Sequence, residues 1–322
     1  MKKFFFKILL LVFILIVIDG LVGYLFNYLQ YHSKGGDTGR MVYIANNMNE
    51  DILIFGSSRA IHHYDPKIIE DSLHMSCYNC GRDGNGIIFS YGMYRLFRDR
   101  YTPKIIIYDI IAIFDLINEG NNEKYLDWLR YFYERPGIDS IFMEIDETEK
   151  YKMLPKMRRY NGKFIQIASD YIKPQQSDIK GYRPVNDIMK YEPTKTNQTL
   201  KQNIQYDNTK LKYFKKLIDD CKRKGTQLIF MVSPIYKGDK DSAYEAIIRL
   251  AESEKIPFFY HYNDKEISFN REYFYDSAHM NKNGAECYTK KIIDEIRKCI
   301  NNDSIALHSI KSNSSKTSCK TN

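Results

Sequence analysis

Four short runs in this chain are apolar at every position rather than at every second one: residues 52–55, 105–108, 228–232 and 256–260. A strand with one face in water alternates, whereas a strand covered on both faces does not. The runs therefore predict strands buried inside a parallel sheet. The segment 75–79 supplies a fifth candidate. Between them, residues 87–97, 211–221, 244–251 and 284–300 repeat their apolar positions with helical spacing. Strand and helix in alternation imply right-handed crossovers and an α/β domain whose sheet has helices on both faces.

The alternation breaks between about 118 and 205. That stretch is charged, carries Tyr125, Tyr131, Tyr133, Tyr151, Tyr160, Tyr171, Tyr182 and Tyr191, and holds the only tryptophan, Trp128. It reads as a mostly helical insertion at the end of a strand, where α/β enzymes build substrate walls. Its aromatics could stack on sugar rings or form the insertion's own core, as the helical spacing of Leu129, Phe132 and Tyr133 suggests. From residue 301 the composition collapses to Ser, Asn, Lys and Thr, which predicts a disordered tail.

A different pattern opens the chain. Lys2, Lys3 and Lys7 precede an apolar run that, counted through Asp19 and Gly20, extends over 19 residues from Ile8 to Phe26. That is close to the length a helix needs to cross a bilayer. Such a run could also be the core of a cleaved signal peptide, but bulky Asn27, Tyr28, Leu29 and Gln30 follow it instead of a small-residue cleavage site, favouring an uncleaved signal anchor. The expected order is a cytoplasmic N-terminus at 1–7, a transmembrane helix at 8–29, a polar tether at 30–49 and a domain at 50–300. With lysines on the short side, the domain is expected outside the inner (cytoplasmic) membrane. Asp19 either has a partner in the span or sits near the outer interface.

Composition changes this picture little. The net charge of +8 permits contact with anionic lipid or polymer, but the basic residues are spread along the 322-residue chain rather than clustered, and no nucleic-acid partner is expected. Six cysteines are too few for a disulfide framework at this length. Cys77 and Cys80 read as a buried thiol pair or a local disulfide, and no second pair completes a zinc site. No metal or cofactor is expected.

Three local patterns carry candidate chemistry. The first apolar run passes directly into Gly56, Ser57 and Ser58, so that a serine on a tight turn at a strand's C-terminal end would project into the crevice where open α/β sheets bind ligands. Gly-Ser turns are also common without function. In the second, Asp276 and His279 lie three residues apart on one loop, a spacing that lets a carboxylate orient an imidazole for use as a base. The same spacing can cap a helix. In the third, Asn79, Cys80, Gly81, Arg82, Asp83, Gly84, Asn85 and Gly86 form a glycine-rich connection, either a plain turn or a place where backbone N–H groups approach a substrate oxygen.

Taken in this order, the three patterns resemble the SGNH/GDSL hydrolase superfamily over residues 51–300. Gly56, Ser57 and Ser58 resemble its first block with Ser57 in place of Asp; residues 79–84 resemble the second; Asp276 to His279 resembles the Asp-x-x-His of the fifth. The resemblance implies a flavodoxin-like three-layer α/β/α sandwich. It makes Ser58 the nucleophile, His279 the base, Asp276 its orienter, and the Ser58 and Gly84 amides the oxyanion donors. One departure stands out: Ile110, Ile111, Ala112 and Ile113 occupy the place of the third block's Gly-x-Asn-Asp, so its oxyanion-binding Asn has no counterpart.

A membrane-anchored domain of this kind also resembles bacterial proteins that add or remove O-acetyl groups on cell-surface polysaccharides. The expected activity is serine-dependent ester hydrolysis or acyl transfer on an acylated carbohydrate or other small ester. The alternative is a non-catalytic glycan-binding or polysaccharide-assembly subunit on the same fold. Arg59 and Asn85 are candidate substrate contacts, with a structural ion pair as the other reading of Arg59. His62 and His63 read as solvated residues at the edge of a pocket.

Overall fold

The structure, a computed structural model, describes residues 1–175, 178–191 and 204–300; the tail expected to be disordered lies outside them. In chain order its helices and strands are α1 (Lys2–Tyr31), α2 (Gly36–Asn46), β1 (Ile52–Gly56), α3 (Ser58–His63), α4 (Pro66–Leu73), β2 (Cys77–Asn79), α5 (Ile87–Phe97), β3 (Ile105–Asp109) and α6 (Ala112–Asp115). There follow α7 (Ile138–Ile145), α8 (Glu149–Lys152), α9 (Phe164–Ile172), α10 (Asn208–Lys224), β4 (Gln227–Val232), α11 (Glu245–Glu254), β5 (Phe258–Tyr260) and α12 (Lys282–Ile300). The chain forms two compact units, one of residues 1–48, 92–100 and 122–177, the other of the remainder.

The second unit is the α/β domain that the apolar runs predict. Its five strands are all parallel, in the order β2-β1-β3-β4-β5, which is the flavodoxin-like order. Because side chains alternate across a strand, the central strands feed two cores. Ile52, Ile54, Ile105, Ile107, Ile229 and Met231 pack with Ile69 of α4 and with Tyr288, Ile292 and Ile296 of α12. On the other face, Tyr108 and Phe230 meet Phe214 of α10, with the Tyr108 and Phe214 ring centroids 5.2 Å apart. The strand order reverses between β1 and β3, and the C-terminal ends of these two strands open the crevice in which such sheets bind ligands.

Helices α10 and α12 are set by their caps. Asp207 accepts hydrogen bonds from the Thr209 and Lys210 amides and starts α10, and Gly225 ends it in the left-handed region. Asn281 accepts from the Gly284 amide at the head of α12.

The first unit is helical. The long α1 has a window of mean hydropathy 2.8, almost entirely exposed, and is long and apolar enough to cross a membrane. Where a polar tether is expected, α2 instead forms a helix that buries Met41, Val42, Ile44 and Ala45. The glycines before it and the asparagines after it, which suggest a linker by composition, are its two ends. Among its described residues, the insertion is helical only in its first part. There Tyr125, Trp128, Tyr131, Phe132 and Tyr160 are buried, and Tyr131 stacks on Tyr160, so these rings are mainly the insertion's own core. Its trailing residues, 178–191, contain no helix and belong to the α/β unit.

Candidate active site

Strand β1 delivers Gly56 to the crevice in a backbone conformation of φ +137°, where a Cβ would come within 2.4 Å of the Asp109 carbonyl oxygen. Only glycine fits there, and the tight exit it permits starts α3 immediately, with Ser58 as the first helical residue. Ser58 is half-buried, and its Oγ lies 2.8 Å from His279 Nε2. The His279 Nδ1 lies 2.9 Å from Asp276 Oδ2 and 3.0 Å from Oδ1. Serine, imidazole and carboxylate thus stand in a continuous line across 221 residues of sequence separation.

Asp276 also accepts from the Ala278 and His279 amides, both at 2.8 Å. Burial raises this carboxyl, but the hydrogen bonds from the His279 ring and the two amides outweigh it and hold it below the ordinary range. It is therefore an ionised acceptor at neutral pH, which requires His279 Nδ1 to carry a proton and leaves Nε2 facing the serine. The helix-cap alternative is excluded by position, since the cap of α12 is Asn281.

The glycine-rich connection splits into anchoring and open parts. Asn79 is buried; its Nδ2 donates to the Ala60 and Tyr64 carbonyls and its Oδ1 accepts from the Gly81 amide, fastening β2 to α3. Gly84 is exposed at φ +66° with open space where a side chain would be. Among the described residues, neither the Ser58 nor the Gly84 backbone amide donates to another protein group.

Two candidate substrate contacts are placed otherwise. Arg59 is only 2 % exposed, donates to the Ser233 and Ile110 carbonyls and to Tyr244, and pairs with Asp109 at 3.6 Å. Burial opposes its charge, but Tyr244 and Asp109 more than restore it. It is a buried structural cation, its two terminal nitrogens bonded inside the protein, which matches the ion-pair reading of this residue. The Asn85 side chain donates from Nδ2 to the Asp83 carbonyl at 2.8 Å, closing its own turn. Ser57 is fully buried, and its hydroxyl has no partner among the described residues.

His62 and His63 are not solvated bystanders. His62 donates from Nδ1 to the Arg183 carbonyl at 2.7 Å, its Nε2 lies 3.4 Å from Asp83, and its ring centroid stands 5.7 Å from that of His279. His63 is completely buried. Its Nε2 accepts the Met280 amide at 2.9 Å, so Nδ1 carries the proton and donates to Ser233 Oγ at 2.9 Å. Ser233 then donates to Asp109 Oδ2 at 3.0 Å, while Tyr64 donates to Asp109 Oδ1 at 2.8 Å. Burial, then the charges of His279, Arg59 and His62, push the His63 imidazole well below its ordinary value and keep it neutral. This buried chain grips the residue next to His279. Its sequence signal is a polar residue at the end of each of two apolar strands, Asp109 as the last residue of β3 and Ser233 just after β4, but nothing local links them to His63.

In place of the third block, Ile110 and Ile111 lead into the short α6. Its Asp115 accepts from the Ile111 amide at 2.8 Å and from the Ile87 amide beyond the glycine-rich loop. Residues 178–191 form a strap over the same region. The Lys180 carbonyl accepts from Asn79, Arg183 donates to the Ile61 carbonyl, and Met189 donates to that of Phe274.

The acidic cluster Glu123, Asp146 and Glu149, in the helical unit, is the one group among the described residues spaced to hold a metal ion. The Lys152 ammonium lies 2.6 Å from Asp146 and 2.9 Å from Glu149, in the position a cation would take. Cys77 and Cys80 are buried thiols without a disulfide.

No protein-family model matches the chain, and no curated protein matches it. Among solved structures, a Bacteroides fragilis NCTC 9343 protein described as an acylhydrolase matches with 12 % identity and a TM-score of 0.36, covering 78 % of this chain and 89 % of that one. A Streptococcus pneumonia protein described as a platelet activating factor matches with 11 % identity and a TM-score of 0.35, covering 90 % and 98 %. At these scores the likeness carries no weight for activity, which rests on the site itself.

Proposed function

We propose that this chain is a serine-dependent ester hydrolase or acyltransferase of SGNH type, anchored in the cytoplasmic membrane by α1 and acting outside it on an acyl group, O-acetyl above all, of a cell-surface glycan. The observation that carries the reading is the unbroken line from Ser58 Oγ through His279 to Asp276, with 2.8 Å and 2.9 Å contacts. Support for a glycan comes from the exposed rings of Tyr275, on the His279 loop, and Tyr191, on the strap bonded to that loop. Such rings offer flat faces to sugars.

In this reading Ser58 Oγ attacks the acyl carbon while its proton passes to His279 Nε2. Negative charge forms on the acyl oxygen, where the Ser58 and Gly84 amides donate to it. The C–O bond to the alcohol then breaks, His279 returns its proton to that alcohol, and the acyl group stays on Ser58. Water or a second hydroxyl attacks the acyl-enzyme with His279 again taking the proton, and Ser58 is released with its proton restored. Asp276 remains ionised throughout, fixing the tautomer and stabilising the imidazolium.

Hydrolysis of nitrophenyl acetate by the detergent-solubilised full chain tests this. Ser58→Ala and His279→Ala should each lower turnover by at least about 10³-fold. Ser57→Ala should leave it near the wild-type rate, because that hydroxyl is buried away from the line. A fully active Ser58→Ala protein would refute the Ser58-dependent reading, and a wild-type chain without turnover would leave the binding subunit.

A further inference from the structure

The helical unit explains Asp19 and, through it, points to a second contact with lipid. From Lys7 to Asp19 is twelve residues, about 18 Å at 1.5 Å per residue. The hydrocarbon layer is about 30 Å thick and needs about 20 helical residues to cross it. A span that begins after Lys7 must therefore continue past Asp19 to about Phe26, leaving the turn of helix around Asp19 and Gly23 within the outer half of the bilayer.

That part of α1 does not face lipid on all sides. Asp19 Oδ2 accepts the Lys156 amide at 2.7 Å and Oδ1 the Met157 amide at 2.9 Å, capping the 3-10 turn Lys156–Tyr160. Over Gly23 there is no room for a Cβ, which would lie 2.4 Å from Lys156 Cβ. Phe26 meets the rings of Tyr160 and Phe164 at 5.8 Å and 4.7 Å, and Tyr28 meets Tyr171 at 6.3 Å. Residues 154–172 thus run alongside α1 from Asp19 to Tyr28. Their outward side chains include Leu154 at 72 % exposure, Ile165 at 87 % and Ile172 at 70 %, with Ile165 and Ile172 seven residues apart on one face of α9. Lys156, two residues after Leu154, is exposed, on a stem long enough to carry its charge to the headgroups.

We infer that residues 154–172 are a monotopic element seated in the outer leaflet, with Leu154 and Ile165 among the acyl chains beside α1 and Lys156 at the phosphates. The occupant of this exposed apolar face is the bilayer itself, because the length of α1 carries the face to that depth. The element also supplies the two N–H donors that an ionisable Asp19 needs in a low-dielectric layer. The inference rests on α1 being a transmembrane anchor, and the two can be separated by experiment.

A single native tryptophan makes the measurement clean. In a Trp128→Phe background, Phe13→Trp, Ile165→Trp and Tyr191→Trp are introduced one at a time into the full chain, reconstituted into phosphatidylcholine vesicles, and titrated with lipid brominated near the headgroup or deep in the chain. Phe13→Trp reports the anchor and Tyr191→Trp the aqueous phase. The expected result is loss of emission for Phe13→Trp with deep bromine, for Ile165→Trp chiefly with shallow bromine, and for Tyr191→Trp with neither. Ile165→Trp unquenched beside a quenched Phe13→Trp would overturn the inference and leave the anchor standing. If neither is quenched, the anchor fails and the inference with it.

Discussion

At the scale of single residues, His279 is held by two different kinds of contact. Asp276 fixes its tautomer directly, whereas His63 fixes the backbone of its neighbour Met280 and must stay neutral to do so. Replacing His63 by Leu would leave the Met280 amide and the Ser233 hydroxyl without these partners in a buried place. Such losses cost about 2 to 4 kcal/mol together, so a denaturant titration should show destabilisation of that order. Turnover should fall more than KM rises, because the base is loosened while the binding surface is untouched. The pH dependence has a definite sign. His63 is depressed when folded, so only the unfolded chain takes up its proton below about pH 6.5. Its share of stability is complete above that pH and is lost as pH falls. Between pH 7.5 and 5.5 the wild type should lose about 1 kcal/mol that His63→Leu does not lose; parallel pH profiles would contradict a buried neutral imidazole.

At the scale of elements, the site is assembled from the C-terminal ends of strands and from the loops tied to them. The strands are legible in sequence because residues such as Ile52 to Phe55 and Ile105 to Tyr108 are apolar without alternation, which few other environments allow. Ser58, Asp276 and His279 are legible too, because each sits in a short local pattern, and the fold brings them into contact. The structural ion pair is one of the two readings the sequence offers for Arg59, but the roles of His63, Asp109 and Ser233 are not legible, because each depends on a contact between segments far apart in sequence. The strap at 178–191 is hidden for a related reason: its bonds to Asn79, Ile61 and Phe274 are made by backbone, which leaves no periodicity of side chains. Composition misleads for α2, where glycine and asparagine mark helix ends and not a linker.

The exit from β3 shows the same dependence on distant contacts. Burial pushes the Asp115 carboxyl up to about 7, with bonds from Tyr108 and the Ile111 amide offsetting it only in part. A raised acid favours the fold while protonated, and that advantage is lost as pH rises from about 4 through about 7. Asp115→Asn cannot ionise, so its stability relative to wild type should improve by on the order of 3 kcal/mol between pH 4.5 and pH 8. Thermal melts across that range check the slope independently of any bond the amide fails to make. A constant difference would mean that Asp115 ionises freely in the folded protein.

At the scale of the whole molecule, the lysines at the start of α1 and the length of that helix set the expected topology. A small tag ahead of Met1 should survive protease added to cells with a permeabilised outer envelope, while the α/β unit is digested. Loss of the tag with protection of that unit would reverse the orientation. On the proposed reading, an anchored esterase would work on substrates within reach of the membrane surface.

The central claim is that His279 activates Ser58 as a nucleophile. Reaction of the full chain with a fluorophosphonate, followed by peptide mass spectrometry, tests it most directly, because the reagent phosphonylates a serine whose proton has a base to receive it. The account predicts one adduct, on Ser58, abolished by Ser58→Ala and slowed at least about 10²-fold by His279→Ala. No adduct on Ser58, or an adduct that forms as fast without the imidazole, would contradict it.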